Sequence, residues 1–273
     1  MIQVEERYIS LLTDFGFKRI FGTAINKDLL ICFLNSLFDG KQVVKDVSYL
    51  NPEHVGDVYT DRKAIFDVYC EGENGEKFIV EMQNAYQTYF KDRSLFYSTF
   101  PIREQAALLN FDMNEEAFEK EKIRHSVQLC DTATHKVFYD KLELIYVEIA
   151  KFNKSLEELE TLYDKWLYAL KNLYKLTQRP KELCDKVFDR LFEEAEIAKF
   201  TPQELREYEA SKIAYRDIKN SVDTAKREGI AEGMEKKSLE IAKKMLTKGM
   251  DEATVMEITG LSAELIQQLK AEM

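Results

Sequence analysis

Apolar side chains recur along this chain with two periods, and the change from one to the other divides it. Up to about residue 152, short β-rich runs alternate with brief helical stretches; from residue 155 the repeat is helical throughout. Residues 7–22 read as an extended lead-in followed by a short helix with an apolar stripe of Phe17, Ile20 and Phe21, stopped at Gly22. Leu29, Leu30, Phe33, Leu34 and Leu37 predict a second helix over 26–38, and residues 42–51 predict a strand. The clearest hairpin joins residues 63–71 to 77–83 around Gly72-Glu73-Asn74-Gly75-Glu76. A helix over 88–106, a short strand over 108–113 and a second hairpin through 126–131 and 141–152 follow.

In the helical half, Ser155 and Glu158 form a capping box ahead of a stripe of Leu159, Leu162, Trp166, Leu170 and Leu173. Pro180 suits the first turn of a helix facing inward with Leu183, Val187, Leu191 and Ala195. Thr201-Pro202-Gln203-Glu204 is a second capping box, and it opens a long helix carrying Leu205, Tyr208, Ile218 and Val222. A polar Glu-Gly echo over 228–237 reads as an exposed helix or a linker. The tail reads as three short helices: Gly249 stops the first, Asp251 caps the second, and Thr259-Gly260-Leu261-Ser262 turns into the third. That shape is helix-turn-helix-like, but the last helix offers Glu264, Gln267, Gln268 and Lys270 outward, which is hardly basic. Two roles stay open for it: DNA reading, or a small interaction or oligomerisation bundle. The organisation expected is a core over 1–152, a helical extension over 153–227, a Glu-Gly linker over 228–238 and a helix-turn-helix-like tail over 239–273.

Composition supports a helix-rich globular protein. Hydrophobic residues make up 45% of 273, with only 10 Gly and 4 Pro to interrupt long elements. With 39 basic and 49 acidic residues the net charge is −10, so the overall field does not steer the chain to nucleic acid; any DNA contact must be local. No apolar run reaches the ~18–20 residues of a membrane span, and the acidic N-terminus is unlike a signal peptide, so a cytoplasmic location without membrane contact is expected. Cys32, Cys70, Cys130 and Cys184 include no C-x-x-C pair and are expected to be buried, reduced thiols. Three scattered histidines do not compose a metal site.

The chemistry concentrates in the first hairpin. Along its strands Ile65, Asp67 and Tyr69 share one face, and Lys77, Ile79, Glu81 and Gln83 share one face of the partner. A two-residue Asn74-Gly75 turn would set Asp67 opposite Met82 and send the acids to opposite sides. A three-residue loop, Glu73-Asn74-Gly75, with Gly in the left-handed position, pairs Gly72 with Glu76 and so Asp67 with Glu81. The second register buries Phe66, Val68 and Cys70 with Phe78, Val80 and Met82, so it is the expected one. Two carboxylates facing each other repel unless a cation bridges them, and a hard divalent ion such as Mg²⁺ takes one or two carboxylates plus water and phosphate oxygens. Incidental acids on a solvent-facing hairpin are the alternative.

The pattern of Asp67, a turn, and Glu81-Met82-Gln83 resembles the PD-(D/E)XK nucleases, and more narrowly the PD-(D/E)XK nuclease family transposases, the Rpn or YhgA-like recombination-promoting nucleases. TDFGFKRIFG, RKAIFDVYCEGENGEKFIVEMQ, RSLFYSTFPIREQA, YDKLELIYVEIAKF, the Trp166 helix, the Glu-Gly echo and the TGLS tail match that family in order, over nearly the whole chain. The resemblance implies an α+β, restriction-endonuclease-like mixed sheet flanked by helices, then a helical region and a small helical tail. It implies a Mg²⁺-dependent DNA endonuclease, with a non-catalytic DNA-binding or adaptor protein of the same fold as the alternative. Asp67 and Glu81 match the metal-binding acids, and Gln83 stands where the superfamily usually has Lys. Asp14 is singled out as support for the metal, Lys18 as a positive charge, and Arg93 and Tyr97 as phosphate contacts. The chain departs from the family between Gln105 and Leu108, where Ala106-Ala107 bridge what is usually a longer segment. A shortened sheet or an inactive copy is one consequence.

Overall fold

The computed structural model describes residues 6–38, 40–50, 53–54, 64–65, 67–73, 75–84, 104–110, 112–113 and 118–271, and the chain divides into units of residues 1–218 and 219–273. In the first unit, α1 (Asp14–Phe21) begins where Thr13 accepts the Gly16 N–H at 3.1 Å. A Cβ at Gly16 would lie 2.2 Å from the Ser10 carbonyl oxygen, so only glycine lets the lead-in fold this closely over the helix. A 3₁₀ turn then leads into α2 (Lys27–Phe38).

The strands are β1 (Val47–Tyr49), β2 (Glu53–His54), β3 (Ala64–Ile65), β4 (Val68–Gly72), β5 (Lys77–Gln83), β6 (Glu104–Leu109), β7 (Arg124–Cys130) and β8 (Val137–Glu148). Six form a sheet of order β1-β4-β5-β6-β8-β7, and β2 pairs β3 separately. β5, β6 and β8 run parallel, while β1–β4, β4–β5 and β7–β8 are antiparallel, so the sheet is mixed. One face carries Val68, Cys70, Phe78, Val80, Met82, Leu108, Ile145 and Val147 into the main core. Its helical layer is α1, α2, α3 (Leu162–Asn172) and α4 (Lys186–Glu194), centred on a fully buried Trp166 that packs 5.7, 5.6 and 5.0 Å from the rings of Phe21, Phe33 and Phe188. This is an α+β, restriction-endonuclease-like fold. No single helix among the described residues is long and apolar enough to cross a membrane.

Several boundaries differ from the sequence expectation. Residues 104–106, read as the end of a helix, are the start of β6, and the strand ends at Leu109 rather than 113. Backbone pairing with β5 and β8 outweighs the helical preference of Glu-Gln-Ala-Ala, and the strand passes straight through Ala106-Ala107. Of the described residues in the 42–51 stretch, only Val47–Tyr49 are strand. The Ser155 box caps a single 3₁₀ turn, and the Trp166 helix starts instead at Thr161, whose own box with Asp164 satisfies the first turn. Pro180 likewise precedes a 3₁₀ turn, with α4 opening at Lys186. Cys130 and Cys184 are exposed rather than buried, one at the end of β7 and one after a 3₁₀ turn, and all four thiols are free.

The Thr201 box holds as read: the Thr201 N–H donates to Glu204 at 2.7 Å and the Glu204 N–H to Thr201 Oγ1 at 3.2 Å. The helix it opens, α5, runs from Pro202 to Thr247. The Glu-Gly stretch is part of it, and so is the first of the three tail helices. In the second unit Gly249, at φ 79°, ends α5; Asp251 caps α6 (Glu252–Thr259); Gly260, at φ 69°, turns into α7 (Ala263–Ala271). Ala242, Met245, Leu246, Val255, Ile266 and Leu269 make this unit's own small core.

Candidate active site

Everything at the site depends on the β4–β5 register. Gly75 has φ 80° and donates to the Gly72 carbonyl at 3.1 Å, while the Gly72 N–H donates to Glu76 at 2.8 Å. Cα partners run Glu71–Lys77, Cys70–Phe78, Tyr69–Ile79 and Val68–Val80, which is the three-residue-loop register. Val68, Cys70, Phe78, Val80 and Met82 therefore enter the main core, as expected; Phe66 lies outside the described residues. The other face is covered as well, since Tyr69 and Ile79 are buried with Leu50 against them.

The ladder stops one residue short of Asp67. That residue sits at a bend just before β4, and its carboxylate takes over as a ladder acceptor, receiving the Met82 N–H at 2.8 Å. Asp67 is thus held against the peptide that joins Glu81 to Met82. Glu81 is 5% exposed, and its Oε2 accepts the Gln83 side-chain amide at 3.0 Å, as alternation along β5 allows. From α1, Lys18 reaches to 3.7 Å from Asp67 Oδ1 while holding Asp14 at 2.7 Å. Asn84, next along from Gln83, donates to the Leu12 carbonyl at 3.1 Å and fastens β5 to the lead-in before α1.

The electrostatics follow from this packing. Burial pushes the Asp67 carboxyl above its ordinary value, against the opposing pull of the Met82 N–H and Lys18. Burial alone would lower Lys18, but Asp14 and Asp67 outweigh it and hold the ammonium above its ordinary value, so Lys18 stays charged. A withdrawn carboxylate whose neighbours do not fully compensate its charge, beside a second buried carboxylate, is an oxygen donor set that fits a hard divalent cation. Among the described residues no three His, Cys, Asp or Glu side chains converge as a complete ligand set, and Asp14 is turned to Lys18 at a mostly exposed position. Arg93 and Tyr97 lie outside the described residues.

The structure thus brings Asp67, Glu81, Gln83 and Lys18 to the C-terminal end of β5. Local sequence reasoning did not find Asn84 or Asn110, which tie that end of the sheet to its surroundings. Asn110 donates its N–H to the Gln83 carbonyl at 2.9 Å, and only the asparagine pair flanking a strand end would have pointed to it. A further buried carboxylate, Glu148 at the end of β8, also escaped notice; it lies in register with Leu109, which is in turn in register with Gln83.

Two family models match the chain. The PD-(D/E)XK nuclease family transposase model covers residues 11–225, and the C-terminal HTH domain of the Rpn/YhgA-like nuclease family covers residues 235–271. No curated protein and no solved structure matches significantly.

Proposed function

The chain belongs to the PD-(D/E)XK nuclease family transposases, and from that premise we propose that it is a Mg²⁺-dependent DNA endonuclease acting in recombination or element mobility. The observation that carries this reading is the meeting of Lys18, Asp67, Glu81 and Gln83 at one strand end. Asp67 and Glu81 would hold the ion, which when bound supplies charge relief on the phosphate and a water of lowered pKa.

The remaining residues have separate tasks. Lys18, kept charged by its two aspartates, faces the negative phosphate as a fixed cation and is not a proton acceptor. The Gln83 amide orients the attacking water or a phosphate oxygen, the place at which the superfamily usually has Lys. Water attacks phosphorus, the bond to the 3′ oxygen breaks, and the ends left are 5′-phosphate and 3′-hydroxyl. Because the protein carries net charge −10, this chemistry needs local help in holding DNA, which the HTH tail supplies in a cytoplasmic setting.

Nicking of supercoiled plasmid in Mg²⁺, lost in chelator and in Asp67→Ala, is the expected result. Plasmid binding that strengthens in Ca²⁺ supports the same metal site. Nicking that survives Asp67→Ala unchanged would leave a non-catalytic DNA-binding or adaptor protein as the reading.

A further inference from the structure

Two groups of the site are fastened to the same face of the long helix. The Phe15 N–H, in the first turn of α1, donates to Ser211 Oγ at 3.1 Å. One turn further along α5, Tyr215 Oη accepts from the Asn110 side-chain amide at 3.0 Å. Asn110 in turn donates its backbone N–H to the Gln83 carbonyl. The first contact steadies the helix that carries Lys18, and the second steadies the end of β5 that carries Gln83. Both contacts lie within the first unit, and the Tyr215 ring is packed against the main core, so its hydroxyl is presented at a fixed place.

We propose that Ser211 and Tyr215 are positioning residues for the nuclease site, holding Lys18 and Gln83 in mutual register from a single rigid element. The proposal rests on the nuclease reading above and adds to it the reason for a capped helix at 202–218. A phosphate cation and a water-orienting amide act together only if their spacing is held to a fraction of an ångström. They come from elements far apart in sequence, and α5 is the element that bonds to the supports of both.

The test uses the full chain. Tyr215→Phe keeps the ring in the core and removes only the hydroxyl; Ser211→Ala removes the acceptor, and Ser211→Thr restores it. The expected kinetic result for Tyr215→Phe and Ser211→Ala is a kcat for plasmid nicking lower by about tenfold with KM for DNA unchanged, and recovery in Ser211→Thr. Amide hydrogen exchange, which needs no activity, should quicken at Asn110 in Tyr215→Phe and at Phe15 in Ser211→Ala. Unchanged exchange at both amides overturns the proposal, as does altered exchange with Asp67-dependent nicking left at the wild-type kcat. Nicking indifferent to Asp67→Ala removes the nuclease reading and this proposal with it, whereas the exchange data alone overturn only the positioning role.

Discussion

Asp67, at the bend before β4, and Glu148, at the end of β8, are both carboxylates withdrawn from water, and they are supplied very differently. Glu148 is fully buried yet receives the Met113 N–H at 2.9 Å and Lys151 Nζ at 3.1 Å, with His125 Nε2 at 3.1 Å. His125 is itself fixed, stacked on Phe118 at 3.9 Å with Nε2 3.0 Å from the Lys122 carbonyl. Asp67 has one backbone donor and a lysine at 3.7 Å that is shared with Asp14, and its carboxyl is pushed up by burial in spite of them. A carboxylate with a full set of short, fixed donors serves the fold; one left under-compensated beside another acid is suited to recruiting a cation. The same change, carboxylate to amide, should therefore act oppositely at the two places.

The largest effect is expected on activity, at Asp67. Asp67→Asn should lower plasmid nicking by about 10³-fold, the scale of losing one key electrostatic group. Stability should move the other way. Because the folded state raises this carboxyl's pKa, the fold has its full advantage below the ordinary carboxylate pKa and loses it as pH rises through the folded value. At neutral pH the ionised Asp67 is a net cost, so Asn should raise the thermal midpoint at pH 7, and the gain should vanish at pH 3. A midpoint that falls at pH 7 would mean that Asp67 is satisfied like Glu148 and that the contrast is false.

Glu148→Gln should instead neutralise the buried carboxylate that Lys151 and His125 share, leaving Lys151 with Asp112 at 3.4 Å. Breaking a buried charged pair costs about 3–5 kcal/mol, or on the order of 10 °C in thermal midpoint for a unit of this size. Nicking per folded molecule should change little by comparison. A loss of nicking with an unchanged midpoint would move Glu148 from the fold to the chemistry.

Lys18→Met sharpens the contrast from the other side. Removing this cation takes away one of the two influences that hold the Asp67 pKa down. Nicking at neutral pH should fall on the order of 10²-fold, and the acid limb of kcat/KM should move to higher pH. A limb that stays in place would show that Lys18 does not act on Asp67.

How much of this was legible follows from whether a feature is set locally. Gly75, three residues after Gly72, sufficed for the loop, the loop for the register, and the register for the core face of both strands. The Thr201 box and Gly249, Gly260 and Asp251 marked helix ends for the same reason: each acts within one turn. Residues 104–106 were misread because their side chains favour helix and only the two flanking parallel strands make them a strand. The polar Glu-Gly stretch reads in the sequence as an exposed helix or a linker, because nothing local decides between them; it is exposed helix, and α5 continues through it into the first tail helix. Lys18 came to attention through family resemblance alone; its 3.7 Å approach to Asp67, like the bonds of Ser211 and Tyr215, joins segments no local pattern connects.

The smallest effect is expected from removing the tail, and it tests whether the under-compensated corner belongs to the first unit alone. Every side chain placed at the site, with Ser211 and Tyr215, lies before Ile218. Residues 216–237 of α5 are exposed, and the apolar side chains of the tail cluster among themselves around Ala242, Leu246, Val255 and Ile266. Deleting 229–273 therefore withdraws none of the main core's buried residues from the first unit and leaves the capped start of α5 in place. The shortened chain should unfold in one cooperative transition with a midpoint within about 2 °C of the parent, the change that roughly 0.5–1 kcal/mol produces at this size. It should keep the Asp67-dependent step on a saturating plasmid while losing DNA affinity or self-association. If the cooperative transition disappears, residues 229–273 are part of what holds the first unit together. If the transition survives but kcat at saturating plasmid collapses, the site is completed by something beyond residue 228, and the contrast between Asp67 and Glu148 is not a property of one sheet.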